Sequence, residues 1–191
     1  MASIRSLGIL ETRGMASLMA ATDAMLKAAS VSVCGRHGIG SGWLTILIEG
    51  EVDAVEAALA VGREEASARG DLITAEVIAR PDANAASRMP HATAPVDAPD
   101  ASGQAIGLLE TRGMVPLIQG ADAMAKSASV DLVGWAYIGG ALAHALVRGD
   151  VASVRTAVEA GERAAQETGD VHATLVIPNP AAQVGCLFPP A

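Results

Sequence analysis

Short apolar runs alternate with longer periodic stretches along residues 6–81. Two stretches repeat apolar positions every three or four residues and predict helices over 15–29 and 52–68. Between and around them, short runs rich in β-branched or other apolar residues predict four strands, at 6–12, 31–34, 43–48 and 72–78. The order β-α-β-β-α-β predicts an α+β fold, with a four-stranded antiparallel sheet and both helices packed on one face.

Glycines mark predicted ends and loops of this pattern. Gly70 follows the second predicted helix and is expected to stop it in a left-handed conformation. Residues 36–42 read RHGIGSG, which predicts an irregular glycine-rich loop that joins two strands as a hairpin.

The whole unit occurs twice as an internal repeat. Residue n of the first copy matches residue n + 99 of the second. GILETRGM at 8–15 returns as GLLETRGM at 107–114, and roughly 30 of about 76 aligned positions are identical without a gap. The chain is therefore expected to divide into a first domain, a proline-containing linker, a second domain and an irregular tail, at 1–81, 82–104, 105–181 and 182–191.

The composition of the chain argues against several classes of function. The net charge is −8 and aromatic residues are 2% of the chain, so neither the basic patches nor the stacking platforms of nucleic-acid-binding proteins are expected. No apolar run approaches the roughly 20 residues of a membrane helix, and no leader precedes the first strand, which predicts a cytosolic protein without a membrane partner. Two cysteines form neither a disulfide framework nor a metal ligand set, so no metal or cofactor is expected.

Several motifs, in this order and spacing in both copies, resemble those of bacterial microcompartment shell proteins. They are G-[IL]-L-E-T-R-G-M, D-A-M-x-K-[AS]-A-S-V, I-G-[SG]-[GA] and [EDR]-G-[ED]-V, and the resemblance covers 6–81 and 105–180. Two copies in one chain are similar to the tandem-domain members that form flat trimers, each imitating the hexamer of single-domain members. The unpermuted strand order implies the single-layer kind.

The resemblance implies an axial pore lined by the glycine hairpin loops. Glycine allows close approach of backbones around an axis, and exposed amides favour small polar solutes over apolar or bulky ones. The implied pore-lining residues are Gly38, Ile39, Gly40, Ser41 and Gly42 from the first copy, and Tyr137, Ile138, Gly139, Gly140 and Ala141 from the second. Because the two loops differ, the pore is expected to be threefold.

The resemblance also implies residues at the edge where neighbouring oligomers meet side by side. The lysine of D-A-M-x-K is Lys27 in the first copy and Lys126 in the second, and the arginine of the R-P motif is Arg80. The second copy departs from the family here and has Asn179 in place of arginine. The implied partners are further copies in a homotrimer, other shell proteins (hexamers and pentamers), and small polar metabolites.

Other interpretations of these residues stay open. The glycine stretch is also compatible with a phosphate cradle or a plain turn, although a cradle normally joins a strand to a helix. Cys34 fits a buried, inert thiol, and Cys186 an exposed residue of the tail. His37, beside the loop, fits an exposed side chain better than a pH-dependent charge at the pore. Glu11 with Arg13, and Glu110 with Arg112, fit a local ion pair at the strand-to-helix corner or an interface pair in the oligomer better than a catalytic pair.

The function that follows is that of a non-enzymatic shell protein in a cytoplasmic microcompartment. It would assemble edge to edge and pass small polar metabolites through its axial pore. The alternative is a soluble trimeric sensor that binds a small molecule between subunits. A sensor should remain a discrete trimer at high concentration, whereas a shell protein should associate further.

Overall fold

The computed structural model describes residues 6–82 and 103–188; most of the predicted linker therefore lies outside the described residues. The first repeat contains four strands and two helices. They are β1 (Ser6–Arg13), α1 (Met15–Ala28), β2 (Val31–Gly40), β3 (Trp43–Gly50), α2 (Val52–Ala68) and β4 (Leu72–Ile78).

The second repeat has the same elements in the same order. They are β5 (Ala105–Arg112), α3 (Met114–Ser127), β6 (Asp131–Gly139), β7 (Leu142–Gly149), α4 (Val151–Gln166) and β8 (Val171–Ile177). A short 3-10 helix, η1 (Ala182–Leu187), follows it. Gly70 ends α2 with φ +79°, as predicted.

Each repeat forms one antiparallel sheet, in the order β2-β3-β1-β4 in the first and β6-β7-β5-β8 in the second. The two helices of a repeat lie on one face of its sheet, where glycines of the central strand allow close packing. A Cβ at Gly107 would lie 2.6 Å from Val158 Cγ2 and 2.8 Å from Val154 Cγ1, both on α4. The α+β fold predicted from the hydrophobic pattern is confirmed in both repeats.

The prediction that residues 36–42 are irregular is wrong. β2 pairs with β3 as far as Gly40, and the register shifts twice, between Val33 and Gly35 and between Gly38 and Gly40. Cys34 and Ile39 are therefore extra residues that bulge from the ladder. The glycines are tolerated because β3 supplies an apolar, regular partner strand along the whole length of the hairpin.

The tail also differs from its prediction as irregular chain. η1 packs against α1 and β2 of the first repeat, and Leu187 and Phe188 are buried there. The Gln183 side chain accepts the backbone N–H of Val33 at 3.0 Å, and Asp23 Oδ1 accepts that of Ala181 at 2.8 Å. The end of the second repeat is thus fastened to the first.

The two repeats pack head to tail, helix against sheet. Each sheet has an outer face, the one turned away from its own helices. In the second sheet this face carries Ile106, Leu108, Glu110, His144, Leu146, Leu175 and Ile177, by alternation along the strands. α1 of the first repeat lies on it, in one core cluster with Ile106, Leu108 and Leu146. Because its own sheet, η1 and this outer face surround it, α1 is buried on nearly every side.

Candidate functional site at the hairpin tips

The two glycine hairpins end in matching two-residue turns. In the first, Ser41 and Gly42 have φ +53° and +81°; in the second, Gly140 and Ala141 have φ +60° and +64°. Positive φ at both central residues is the type I′ arrangement, which follows the natural twist of the flanking strands. Residues 38–42 and 137–141, called the hairpin tips below, are therefore defined structures rather than loose loops.

Each tip is fixed to the start of a helix. The Gly14 N–H donates to the Gly42 carbonyl at 2.9 Å, and the Gly113 N–H donates to the Ala141 carbonyl at 2.8 Å. Both glycines are the N-cap residues of their helices, α1 and α3. The tips therefore lie at the N-terminal ends of these helices.

The structure brings the two tips of one chain together. A Cβ at Gly139 would lie 2.9 Å from the Ser41 backbone nitrogen, and one at Gly140 would lie 2.6 Å from the Ser41 carbonyl oxygen. Backbones at this separation leave no room for side chains between them, so glycine is required on the second tip. By contrast, a Cβ at Gly40, the counterpart of Gly139, would meet nothing within 4 Å.

The residues expected to line a pore differ in exposure. Ile39 is 59% exposed and Tyr137 61%, whereas Gly42 is buried and Ile138 is half-buried. The accessible surface of the tips thus combines backbone amides and the Ser41 hydroxyl with two large apolar side chains. Such a surface offers hydrogen bonds to a small polar solute beside two apolar side chains.

The residues expected at an edge lie at the other end of the same elements. Lys27 follows Met15, the first residue of α1, by twelve positions, which places it roughly 18 Å along the helix axis from the tip. Lys27 and Lys126 each pair with an aspartate one turn back, Asp23 and Asp122, at 2.6 Å. Arg80 follows β4, whose far end pairs with the start of β1, also remote from the tips. We call this end of the repeats the rim end.

A second polar site lies between the repeats, and the sequence did not indicate its geometry. The Glu110 carboxylate, on the outer face of the second sheet, accepts the backbone N–H groups of Met15 at 2.8 Å and Ala16 at 3.3 Å. It caps the first turn of α1, whose N-cap Gly14 offers no side-chain acceptor. Glu110 of the E-T-R motif therefore contributes an inter-repeat helix cap, and its hydrogen-bond partners are backbone amides and not the arginine of a local ion pair.

Burial shifts the titration of two groups at this site in opposite directions. It raises the pKa of Glu110 to about 7, against the lowering effect of the two backbone donors, and nearby Asp71 raises it further. Burial, with a smaller effect of the Arg36 charge, lowers the pKa of His144 to about 4. His144 lies opposite Glu110 in the β5–β7 ladder, and within the described residues neither of its ring nitrogens has a hydrogen-bond partner.

These shifts predict two opposed pH dependences in the parent protein, one of which each single variant removes. Between about pH 4.5 and 7, folded Glu110 holds a proton that the unfolded chain lacks, so its contribution to stability falls as pH rises. Between about pH 4 and 6.5, unfolded His144 holds the extra proton, so its contribution rises with pH. His144→Leu should therefore lose stability from pH 4.5 to 7, and Glu110→Gln should gain it from pH 4 to 6.5.

Urea denaturation of both variants across pH 4–7.5 measures these slopes. If both retain the pH profile of the parent protein, the opposed titrations of Glu110 and His144 are wrong.

The surroundings of both cysteines disfavour the thiolate form, although Cys34 is half-buried and not fully buried as expected. Burial raises the pKa of Cys34 to about 12, with a further effect of Glu49, and that of Cys186 to about 11. Cys186 is buried at 7% exposure, which corrects the expectation that it is exposed, because η1 packs onto the first repeat. His37 lies half-buried within β2, not exposed.

Across residues 6–82 and 103–188, no three His, Cys, Asp or Glu side chains are grouped so as to hold a metal ion. Among the described helices, none has the length and apolar character needed to cross a membrane.

Comparison with known proteins gives one family. The BMC domain model matches residues 6–81 and 105–180. The carboxysome assembly protein CcmO of Synechocystis sp. is 37% identical over 180 residues, which are 91% of this chain and 61% of that protein. The chain thus spans about three fifths of that relative.

Shorter relatives match a single repeat. The microcompartment shell protein EutM of Salmonella typhimurium is 49% identical over 86 residues, 45% of this chain and 90% of EutM. A solved structure of a microcompartment protein from Desulfitobacterium hafniense DCB shares 31% identity, covering 92% of this chain and 94% of that one, with a TM-score of 0.42.

Proposed function

The chain belongs to the BMC-domain family, with two BMC domains in tandem, and from this premise we propose that it is a non-enzymatic structural protein of a microcompartment shell. Its relatives named above include a carboxysome assembly protein and a microcompartment shell protein. The proposed location is the shell of a microcompartment in the bacterial cytoplasm.

The head-to-tail contact between the repeats is the observation that carries the proposed assembly. α1 lies on the outer face of the second sheet, whereas α3 exposes its equivalent face, with Val115 and Ile118 each 62% exposed. A contact of this kind, repeated between chains, generates a closed ring when the rotation allows it. We propose a flat trimer in which six repeats, two from each chain, surround a threefold axis.

The hairpin tips are proposed to surround that axis as a pore. The close approach of Gly139 and Gly140 to Ser41 supports this, because tips that already touch within a chain have the geometry needed to meet between chains. A throat made of amides and the Ser41 hydroxyl, with Ile39 and Tyr137 beside it, would pass small polar metabolites and retain larger or apolar ones.

The rim end is proposed to join trimers to one another and to other shell proteins, hexamers and pentamers. Lys27 and Lys126 have side chains that are 46% and 74% exposed, and the paired aspartates hold them in place. Arg80 adds a third exposed cation at this end. Since Asn179 replaces arginine in the second repeat, alternate edges of the trimer would differ.

The double variant Lys27→Ala/Lys126→Ala is expected to lose edge-to-edge assembly while the trimer stays folded. The removed ion pairs are exposed i,i+4 pairs, each contributing at most about 0.5 kcal/mol, so the melting temperature should change little. Electron microscopy of sheets or shells, beside thermal melting, measures both effects.

Arg163→Ala is the control. It removes an exposed positive charge from the last turn of α4, at the end of that helix that lies toward the tips and not toward the rim end. Unchanged sheets in the lysine variant, or equal loss in the control, would contradict the edge assignment. A parent protein that stays a discrete trimer at high concentration would favour a sensor over a shell protein.

A further inference from the structure

The lysines assigned to the rim end occupy the same place in the repeated motif but have different surroundings. Each pairs at 2.6 Å with the aspartate one turn back, Lys27 with Asp23 and Lys126 with Asp122. The Asp122 side chain is 54% exposed, whereas the Asp23 side chain is 12% exposed. The ion pair on α1 is therefore part of a packed surface, and its counterpart on α3 lies in the open in the single chain.

The end of the second repeat packs against the ion pair on α1. Asp23 Oδ1 accepts the backbone N–H of Ala181 at 2.8 Å, while Asp23 Oδ2 binds the Lys27 ammonium group. Pro178, directly after β8, lines one cleft together with Asp23 and Lys27. Each oxygen of the carboxylate thus has its own partner, and the surface beside Lys27 is built from both repeats.

Ala181 is itself held by the residues that follow it, and we call 181–188 the anchor segment. Ala181 is the N-cap residue of η1, and its carbonyl accepts the N–H of Val184 at 2.9 Å. Val184, Leu187 and Phe188 are buried in the same core cluster as α1. The donor that Asp23 receives is therefore fixed in space by apolar packing.

We propose that Asp23 is a positioning residue that links the anchor segment to the edge: it holds Ala181 with one oxygen and Lys27 with the other, and so fixes Lys27 in the orientation used for edge-to-edge contact. This inference rests on the proposed edge role of Lys27 and adds the residues that set its position. A side chain that is ordered before contact loses less conformational entropy on binding, which favours assembly.

Ala181→Pro removes the N–H donor while keeping the backbone shape, because Ala181 already has the φ of −64° that proline requires. It is expected to raise the protein concentration at which sheets form by about threefold to tenfold. Acetylation of Lys27 by an N-hydroxysuccinimide ester, measured by peptide mass spectrometry, should become about twofold faster, while Lys126 of the same molecules keeps its rate. A role of Ala181 in folding alone would not separate the two lysines.

Ala182→Pro is the matched control. Ala182 is exposed and is the first residue of η1, where proline is tolerated, and Ala181 before it has the extended ψ of 143° that proline favours. This variant keeps the Ala181 N–H, so it should change both measurements less than about 1.5-fold. Asp23→Asn is a second test should Ala181→Pro not fold. It keeps an acceptor for Ala181 but loses the charge that holds Lys27, so Lys27 acetylation should again be about twofold faster.

The outcomes separate this inference from the proposed function. If the parent forms sheets and Ala181→Pro behaves like Ala182→Pro in both measurements, the link through Asp23 is wrong while the edge assignment stands. If Lys27 acetylation speeds up but the concentration for sheet formation does not change, the positioning role in assembly is wrong. If the parent forms no sheets at any concentration, the proposed edge contact itself is wrong.

Discussion

Alanine at Gly139 and alanine at Gly40 are each expected to lower the free energy of unfolding, by about 2–3 kcal/mol. Both glycines have positive φ, +89° and +99°, which costs an alanine about 1–2 kcal/mol. A Cβ at Gly139 also meets the backbone of Ser41 at 2.9 Å, and backbone atoms yield less than a flexible side chain. In a closed ring Gly40 meets the second tip of the next copy in the same way.

Gly70→Ala isolates the conformational cost. Its φ is +79° and a Cβ there meets nothing within 4 Å, at the end of α2. Urea denaturation of the three variants at one protein concentration gives the comparison. If the ring closes, Gly40→Ala should lower the free energy of unfolding more than Gly70→Ala does. The margin should equal the one by which Gly139→Ala exceeds Gly70→Ala. If Gly40→Ala lowers the free energy of unfolding no more than Gly70→Ala does, the first tip has open space around it, as in an isolated chain.

Valine at Gly107 should have a larger effect, about 3–4 kcal/mol, because it overfills the contact between β5 and α4. Even a Cβ there would lie 2.6 Å from Val158 Cγ2, 2.8 Å from Val154 Cγ1 and 3.1 Å from Val147 Cγ2. All three neighbours are β-branched and have few alternative rotamers, so α4 would have to move from the sheet. The measurement is the shift of the urea midpoint at constant slope.

Gly38→Val is the matched control for this substitution. A Cβ at Gly38 meets only Leu44 Cδ2, at an ordinary 3.8 Å, and the second repeat has Tyr137 at this position. It should change stability by less than about 1 kcal/mol. If Gly107→Val and Gly38→Val lower the free energy of unfolding equally, the described contact between β5 and α4 is wrong.

The features that could be predicted from the sequence are those that local patterns determine. Helix α2 follows from apolar periodicity and ends where Gly70 takes positive φ. The duplication adds a second, independent copy of each pattern, which is why the order of strands and helices was predicted in both repeats. The resemblance of the motifs to shell proteins is confirmed by the BMC domain matches.

The errors concern residues whose conformation is decided by distant partners. Glycines at 36–40 predict a loop, yet β3 pairs with them and keeps them in the ladder. The tail contains proline and little periodicity, yet η1 is buried because α1 and β2 provide an apolar surface for Leu187 and Phe188. No sequence pattern near either segment indicates that these partner surfaces exist.

The role of Glu110 shows the same limit at the level of a single side chain. The sequence shows a glutamate two residues before an arginine in both repeats, which suggests an ion pair at a corner. Its partners in the structure are the amides of Met15 and Ala16, 95 and 94 residues away. Only the docking of one repeat on the other brings these groups together, and that docking depends on the shapes of both.

The closing of three chains around the hairpin tips is the central proposal. A cryo-electron microscopy reconstruction of the parent protein, with its mass measured in solution, tests this directly. The predicted result is a flat particle of three 19.2 kDa chains with residues 38–42 and 137–141 of each chain around a central threefold opening. A single-chain particle, or an oligomer with these residues at its periphery, would contradict it.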